Sequence, residues 1–153
     1  MNWERGIKRV VWVVSIIMLL CSCEDRYVSI VKHSTGFATD ELTWGELVRN
    51  GKYFRGTSWF TYIDATGRRI VGVNANAPVA GYFHLEWEIE NDKPQKNKMW
   101  IDPSKTSSRP GLEEIRNGYR YLSRVCTELG VKPWKTVEQL NKVIKEFNAK
   151  EGK

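Results

Sequence analysis

Three side chains that could do acid–base chemistry alternate along one stretch of the sequence. His84, Glu86 and Glu88 are separated by single residues, so a β-strand would place all three on one face. With Asp64 or Asp102 nearby, they could bind a divalent metal ion or form an acid–base pair. The alternation also predicts an ordinary polar, solvent-facing strand surface, which would need no active site.

Other signatures of catalysis or metal binding are absent from the sequence. Two His and three Cys are few for a Cys/His zinc site or a disulfide framework. There is no Walker loop, no dinucleotide-binding glycine fingerprint and no nucleophile elbow. We therefore expect no metal and no cofactor, and the sequence assigns no catalytic residue.

A basic stripe is the first candidate binding surface. Arg116, Arg120 and Arg124 recur every four residues, which places them along one side of a helix. Such a stripe suits an anionic protein, lipid or glycan surface. The alternative is a solvated helix face on which Glu113 and Glu128 pair locally with the arginines. Further basic residues in the flanking segments are Lys93, Lys96, Lys98, Lys105 and Arg109.

Tryptophan is abundant, with seven in 153 residues. Trp134 lies between Pro133 and Lys135 in the predicted turn before the last helix, so we expect it to be exposed and name it as a second candidate binding residue. Trp59 and Trp87 fall in strand positions that predict burial.

Cys126 lies in the apolar register of a predicted helix. A thiol in that position behaves as a small hydrophobic side chain, and burial would raise its pKa. We therefore interpret Cys126 as a packing residue.

The N-terminal residues indicate export. A charged segment, MNWERGIKR, precedes the apolar run Val10–Leu20, which is shorter than the roughly 20 residues of a membrane-spanning helix. Leu20-Cys21-Ser22-Cys23 then resembles a bacterial lipobox. This predicts a signal peptide over residues 1–22 and a lipid anchor on Cys23, with an uncleaved signal anchor or plain secretion as alternatives.

Export defines the expected location and partners. The positive charge before the apolar run keeps the N-terminus in the cytoplasm and sends the rest across the membrane. We expect residues 23–153 to form one domain in the periplasm, anchored to the inner or outer membrane of a bacterial cell envelope through the acyl group on Cys23. A nucleic-acid partner does not fit an exported domain.

Composition agrees with one folded domain. The 153 residues are 41% hydrophobic and 27% charged, with a net charge of +6 and a mean hydropathy of −0.47. These values exclude a disordered chain and a polytopic membrane protein.

The first half of the domain predicts a short strand, a short helix and a hairpin. Residues 27–32 alternate as a strand, and Thr43-Trp44-Gly45-Glu46 has the spacing of a capping box at a helix start. Residues 58–64 and 68–74 flank a turn and predict a β-hairpin, in which Gly72 marks a bulge.

The second half predicts one strand and two helices. Residues 82–89 alternate clearly as a strand, and residues 90–98 are polar enough to predict a loop. Apolar residues then recur at helical spacing from Pro110 to Gly130, and Thr136-Val137-Glu138-Gln139 predicts a capped final helix to about Asn148. The predicted fold is α+β, with an antiparallel sheet of about four strands, a short N-terminal helix and two C-terminal helices packed on the sheet.

Residues 31–71 carry a pattern of helix start, strand and return strand, formed by Val31, Lys32, Thr43, Gly45, Glu46, Trp59, Gly67 and Val71. The pattern resembles small bacterial exported lipoproteins of unassigned activity, in which a T-x-G-E helix start precedes a Trp-containing strand. The resemblance implies a compact α+β periplasmic domain and no particular chemistry.

Three functions remain open at this point. The first is a membrane-anchored binding or interaction module, and the second is a single-pass anchored domain that docks a membrane complex. The third is a small hydrolase that uses His84, Glu86 and Glu88. A cleft that brings Asp64 or Asp102 within hydrogen-bond reach of His84 would favour the hydrolase, whereas a flat exposed strand face would favour the module.

Overall fold

A computed structural model of the chain describes residues 24–35, 39–104, 110–132 and 136–151. Four strands follow two short helices and precede two longer ones. The elements are α1 (Arg26–Lys32), α2 (Trp44–Val48), β1 (Arg55–Ile63), β2 (Arg69–Ala77), β3 (Gly81–Glu90), β4 (Lys93–Asp102), α3 (Leu112–Glu128) and α4 (Thr136–Glu151).

The strands form one antiparallel sheet in the order β1-β2-β3-β4. Each strand pairs with the next in sequence, because every connection is short. Asp64 closes the β1–β2 turn by accepting hydrogen bonds from the backbone N–H groups of Thr66 and Arg68, each 2.9 Å long. The predicted α+β class with an antiparallel sheet is confirmed, although the four strands are not all the predicted ones.

The prediction of a polar loop over residues 90–98 is wrong. Only Asn91 and Asp92 connect β3 to β4, and their φ angles of 50° and 57° are those of a two-residue hairpin turn. Asn and Asp tolerate this left-handed conformation better than most residues. The polar residues that follow therefore belong to β4, an edge strand with its apolar side chains confined to its end.

The predicted strand over residues 27–32 is also wrong, because these residues form α1. The side chain of Asp25 caps the helix by accepting from the N–H groups of Tyr27 (2.8 Å) and Val28 (3.3 Å). Val28 and Val31, three residues apart, are buried on one side. A run this short fits both the strand and the helix period, and burial of the two valines favours the helix.

Local sequence signals mark the ends of three helices. Thr43 and Glu46 form the capping box at α2, which is confirmed. Gly130, with φ of 73°, ends α3. The N–H of Val131 donates to the backbone carbonyl oxygen of Cys126, as in a Schellman motif. The final helix begins at Thr136 as expected, and the side chains of the proposed capping box there lie outside the described residues.

The hydrophobic core lies on one face of the sheet, here called the inner face. α3 packs against β4, and α4 packs against α3 rather than mainly against the sheet, which corrects the expectation that both C-terminal helices lie on it. Trp87 is buried, as its strand position predicts, whereas Trp59 is only half-buried and stacks on Trp87 with 5.9 Å between ring centroids. Other buried core residues are Val71, Val73, Phe83, Leu85, Met99, Ile101, Tyr119, Leu122, Val125 and Cys126.

The predicted bulge at Gly72 is wrong. Gly72 pairs in regular register with Phe60 on β1 and with Glu86 on β3, and the irregularity of the hairpin lies between Arg55 and Ser58. The glycine is required for a different reason. A Cβ on Gly72 would lie 2.1 Å from Cζ of Phe60, whose ring covers this position.

Within the described residues, no helix is long and apolar enough to cross a membrane. The proposed signal peptide over residues 1–22 and the proposed anchor Cys23 lie outside the described residues.

Candidate functional site

The face of the sheet opposite the core carries a cluster that joins all four strands. Two rows of paired residues place it there: Phe60, Gly72 and Glu86 lie side by side, and so do Asn74, His84 and Trp100. We call the following set the outer-face cluster: Phe60, Tyr62, Asn74, His84, Glu86 and Trp100.

Aromatic stacking holds the centre of this cluster. The ring of His84 stacks on Trp100 with 3.9 Å between centroids, and the ring of Phe60 lies 5.6 Å away on the other side. Phe60 comes from β1 and reaches His84 on β3 because Gly72 leaves β2 flat between them. Tyr62 extends the row, 6.2 Å from Phe60. The result is a continuous aromatic strip across the sheet.

Polar contacts fix the orientation of His84 within the strip. Its Nδ1 lies 2.5 Å from Oδ1 of Asn74, and its Nε2 lies 3.1 Å from Oε1 of Glu86. The same Glu86 oxygen accepts a hydrogen bond of 3.1 Å from the Tyr62 hydroxyl. The Nε2–Oε1 approach is not an aligned hydrogen bond, and the buried Nε2 has no aligned partner among the described residues.

The charges of the cluster follow from these contacts. Partial burial acts to raise the pKa of Glu86, but contacts with His84 and Tyr62 and the charge of Lys98 outweigh it, and the pKa falls below its usual value. Burial and the Glu86 charge raise the pKa of Tyr62. At neutral pH the cluster therefore presents an ionised carboxylate beside a protonated phenol.

The structure brings together only two of the five groups proposed for acid–base chemistry. Glu88 pairs with Arg68 at 3.0 Å, and Asp64 pairs with Arg68 at 2.7 Å. Asp102 is buried and accepts hydrogen bonds from Ser104. Among the described residues, His84 contacts Glu86 and Asn74 and neither aspartate. No group of three His, Cys, Asp or Glu residues suited to a metal ion exists in the same part of the chain.

The basic stripe on α3 carries local ion pairs. Arg116 and Arg120 lie 3.8 Å and 3.7 Å from Glu113, and Arg124 lies 2.9 Å from Glu128. These are the partners that the solvated-face interpretation predicts. All three arginines are at least one-third exposed, so the pairs contribute little to stability.

Cys126 is fully buried in the core with a free thiol. Burial, followed by the charge of Glu41, raises its pKa to about 11, so the thiol stays protonated and unreactive at neutral pH. Its position in the apolar register of the helix is confirmed. The other candidate binding residue, Trp134, lies outside the described residues.

Sequence reasoning missed four members of the outer-face cluster. Phe60, Tyr62, Asn74 and Trp100 become neighbours of His84 only through the pairing of strands. One signal was available: in the predicted hairpin, a two-strand register that opposes Gly72 to Phe60 would have indicated an aromatic ring lying over a glycine.

No protein-family model, no curated protein and no solved structure matches the chain. The resemblance to exported lipoproteins therefore stays a prediction.

Proposed function

We propose that the chain is a binding module of the bacterial cell envelope, held at the membrane by an acyl group on Cys23, and that it binds its partner through the outer-face cluster. The observation that carries this proposal is the aromatic strip itself. Stacked rings, a carboxylate and an amide share one face of the sheet, opposite the hydrophobic core on the inner face.

The chemistry of the cluster defines the kind of partner. Tyr62 is 41% exposed and offers a ring with a polar tip, which is typical of binding surfaces. Glu86 adds an ionised acceptor beside it. A partner that presents apolar surface next to hydrogen-bond donors would satisfy both groups.

The hydrolase is the second candidate, favoured by the contact between His84 and Glu86. Against it, Asp64 and Asp102 have other partners, and stacking on Trp100 holds the imidazole in place. An activity towards chromogenic esters or phosphoesters that Glu86→Gln abolishes would support the hydrolase.

The anchor is tested in growing cells with a clickable palmitate analogue. We expect the native chain to incorporate the label and to fractionate with membranes, whereas Cys23→Ser should lose the label and be released or mislocalised. An unlabelled, membrane-bound product that still carries Met1 would contradict the lipoprotein assignment.

The binding surface is tested by crosslinking in cells followed by recovery of the tagged chain. Tyr62→Ala and Glu86→Gln should each lose the crosslinked partner. Tyr27→Ala is the matched control, because it removes a half-buried tyrosine from α1, away from the outer face. Circular dichroism must show that all variants are folded. Recovery that is equal for all three variants would contradict the proposed surface.

A further inference from the structure

The two edges of the sheet are built differently. β4 carries Lys93, Pro94, Lys96 and Lys98 along its length, and charged residues and proline are the usual means of preventing an edge strand from pairing with another chain. β1 has no charged residue and no proline from Ser58 to Ile63. Among the described residues, β4 therefore has the features that protect an edge strand, and the Ser58–Ile63 part of β1 lacks them.

β1 also exposes apolar side chains. Three large hydrophobic residues are exposed in the described part of the chain, and two of them, Tyr62 (41%) and Ile63 (52%), are at the end of β1. β1 pairs with β2 along one side. Its other side is a row of backbone groups flanked by apolar side chains, which suits the addition of another strand.

We propose that this edge pairs with the same edge of a second copy of the chain, giving an antiparallel dimer with a continuous sheet of eight strands. A dimer with two-fold symmetry requires a surface that is complementary to itself. β1 meets this requirement when the two-fold axis passes through Thr61.

In that register, the exposed residues find apolar neighbours on both faces. Ile63 lies opposite Trp59 of the second copy on the inner side, and Tyr62 lies opposite Phe60 on the outer side. A register centred on Phe60 would instead oppose Ile63 to Thr57, and one centred on Tyr62 would oppose Phe60 to the charged Asp64. The Thr61 register is therefore favoured.

Thr61 provides a second reason for the same register. Its buried hydroxyl has no hydrogen-bond partner among the described residues. On the two-fold axis, Thr61 faces Thr61 of the second copy, and threonine pairs across strands stabilise sheets by hydrogen bonding. A rotation of the side chain would bring the two hydroxyls together.

Disulfide trapping tests the register with the full chain in detergent micelles under mild oxidation. Residues directly opposite each other have Cα atoms about 4.5–5.5 Å apart, within the range for a disulfide. Thr61→Cys should therefore yield covalent dimers. Ile63→Cys is the control, because two copies of residue 63 would be about 13 Å apart along the strands. The native chain, oxidised in the same way, shows how much covalent dimer its own cysteines form.

Light scattering coupled to size-exclusion chromatography tests the dimer itself. The native chain should have twice the monomer mass. Ile63→Lys places a charge opposite Trp59 of the second copy and should give the monomer mass. Val79→Lys also replaces an exposed hydrophobic residue with lysine, in the β2–β3 turn at the opposite end of the sheet from Ile63, and should remain dimeric.

Three results would overturn the proposal. They are a native chain that is monomeric, a dimer that survives Ile63→Lys, and equal trapping of Thr61→Cys and Ile63→Cys. The register also pairs Tyr62 with Phe60, two members of the outer-face cluster, so variants outside the pair separate the two proposals. Ile63→Lys should give the monomer mass and still recover the crosslinked partner, whereas Glu86→Gln should lose the partner and remain dimeric.

Discussion

Gly118 sets the distance between α3 and the sheet, and replacing it with alanine should destabilise the fold. A Cβ at this position would lie 2.9 Å from Cα and 3.1 Å from the backbone nitrogen of Trp100, and 3.1 Å from Cγ of Met99. Carbon atoms in good contact are about 3.5–4.0 Å apart. Two of the three atoms belong to the backbone of β4, so the helix itself must move away by about 0.5–1 Å.

Two opposing terms determine the change in the free energy of unfolding. Separating α3 from β4 loosens the packing of Tyr119, Leu122 and Cys126, and overpacking of this kind costs about 1–3 kcal/mol. Alanine is a better helix former than glycine, and this preference offsets up to about 1 kcal/mol of that loss of stability. We expect Gly118→Ala to lose about 1–2 kcal/mol, which lowers the melting temperature by about 3–8 °C.

Urea unfolding followed by tryptophan fluorescence and circular dichroism measures this loss. Gly51→Ala is the matched control, because a Cβ there meets nothing within 4 Å and its φ is not left-handed. Its stability should stay the same or rise by at most about 1 kcal/mol. If Gly118→Ala were as stable as the native chain, α3 could not lie as close to β4 as the structure places it, and the reasoning would fail.

Three further substitutions have definite expected outcomes. Val79→Asn should raise the free energy of unfolding by about 0.5–1.5 kcal/mol in urea titrations. Val79 is fully exposed with φ of 71°, a conformation that asparagine tolerates better than valine. A lower free energy of unfolding would contradict this. Cys126→Ala should lower the free energy of unfolding by about 1 kcal/mol in the same titrations and still recover the crosslinked partner, since the thiol contributes only packing. Loss of the partner at an unchanged melting temperature would indicate a reactive residue. Reversing Arg116, Arg120 and Arg124 to Glu should leave recovery of the crosslinked partner unchanged at every salt concentration. It should lower the free energy of unfolding by a few tenths of a kcal/mol for each lost ion pair. Partner recovery that falls with salt and that the reversal abolishes would make the stripe a binding site.

The elements that sequence reasoning predicted correctly are those specified by neighbouring residues. The capping box at Thr43 and Glu46 needs only residues three apart, and the glycine stop at Gly130 needs only the turn before it. The apolar residues of α3 and the alternating residues of β3 each repeat over a long segment. The repeat is long enough to distinguish the helical period from the strand period of two. The α+β class follows from these elements.

The wrong predictions concern segments whose local pattern fits two structures. Residues 27–32 are too few to separate a strand from a helix, and the choice depends on burying Val28 and Val31 against the rest of the core. Residues 93–98 look like a loop by composition. They form a strand because the turn at Asn91 and Asp92 returns the chain beside β3, where the backbone hydrogen bonds of the sheet are completed.

The outer-face cluster shows the same division between local and tertiary information. The sequence by itself determined that His84 and Glu86 share one face of a strand, because that follows from the period of two. Only the tertiary structure decided that Phe60, Asn74 and Trp100 surround His84, since strand order and register depend on turns and on core burial along the whole sheet. A local pattern specifies which way a side chain points, and long-range pairing specifies what it meets.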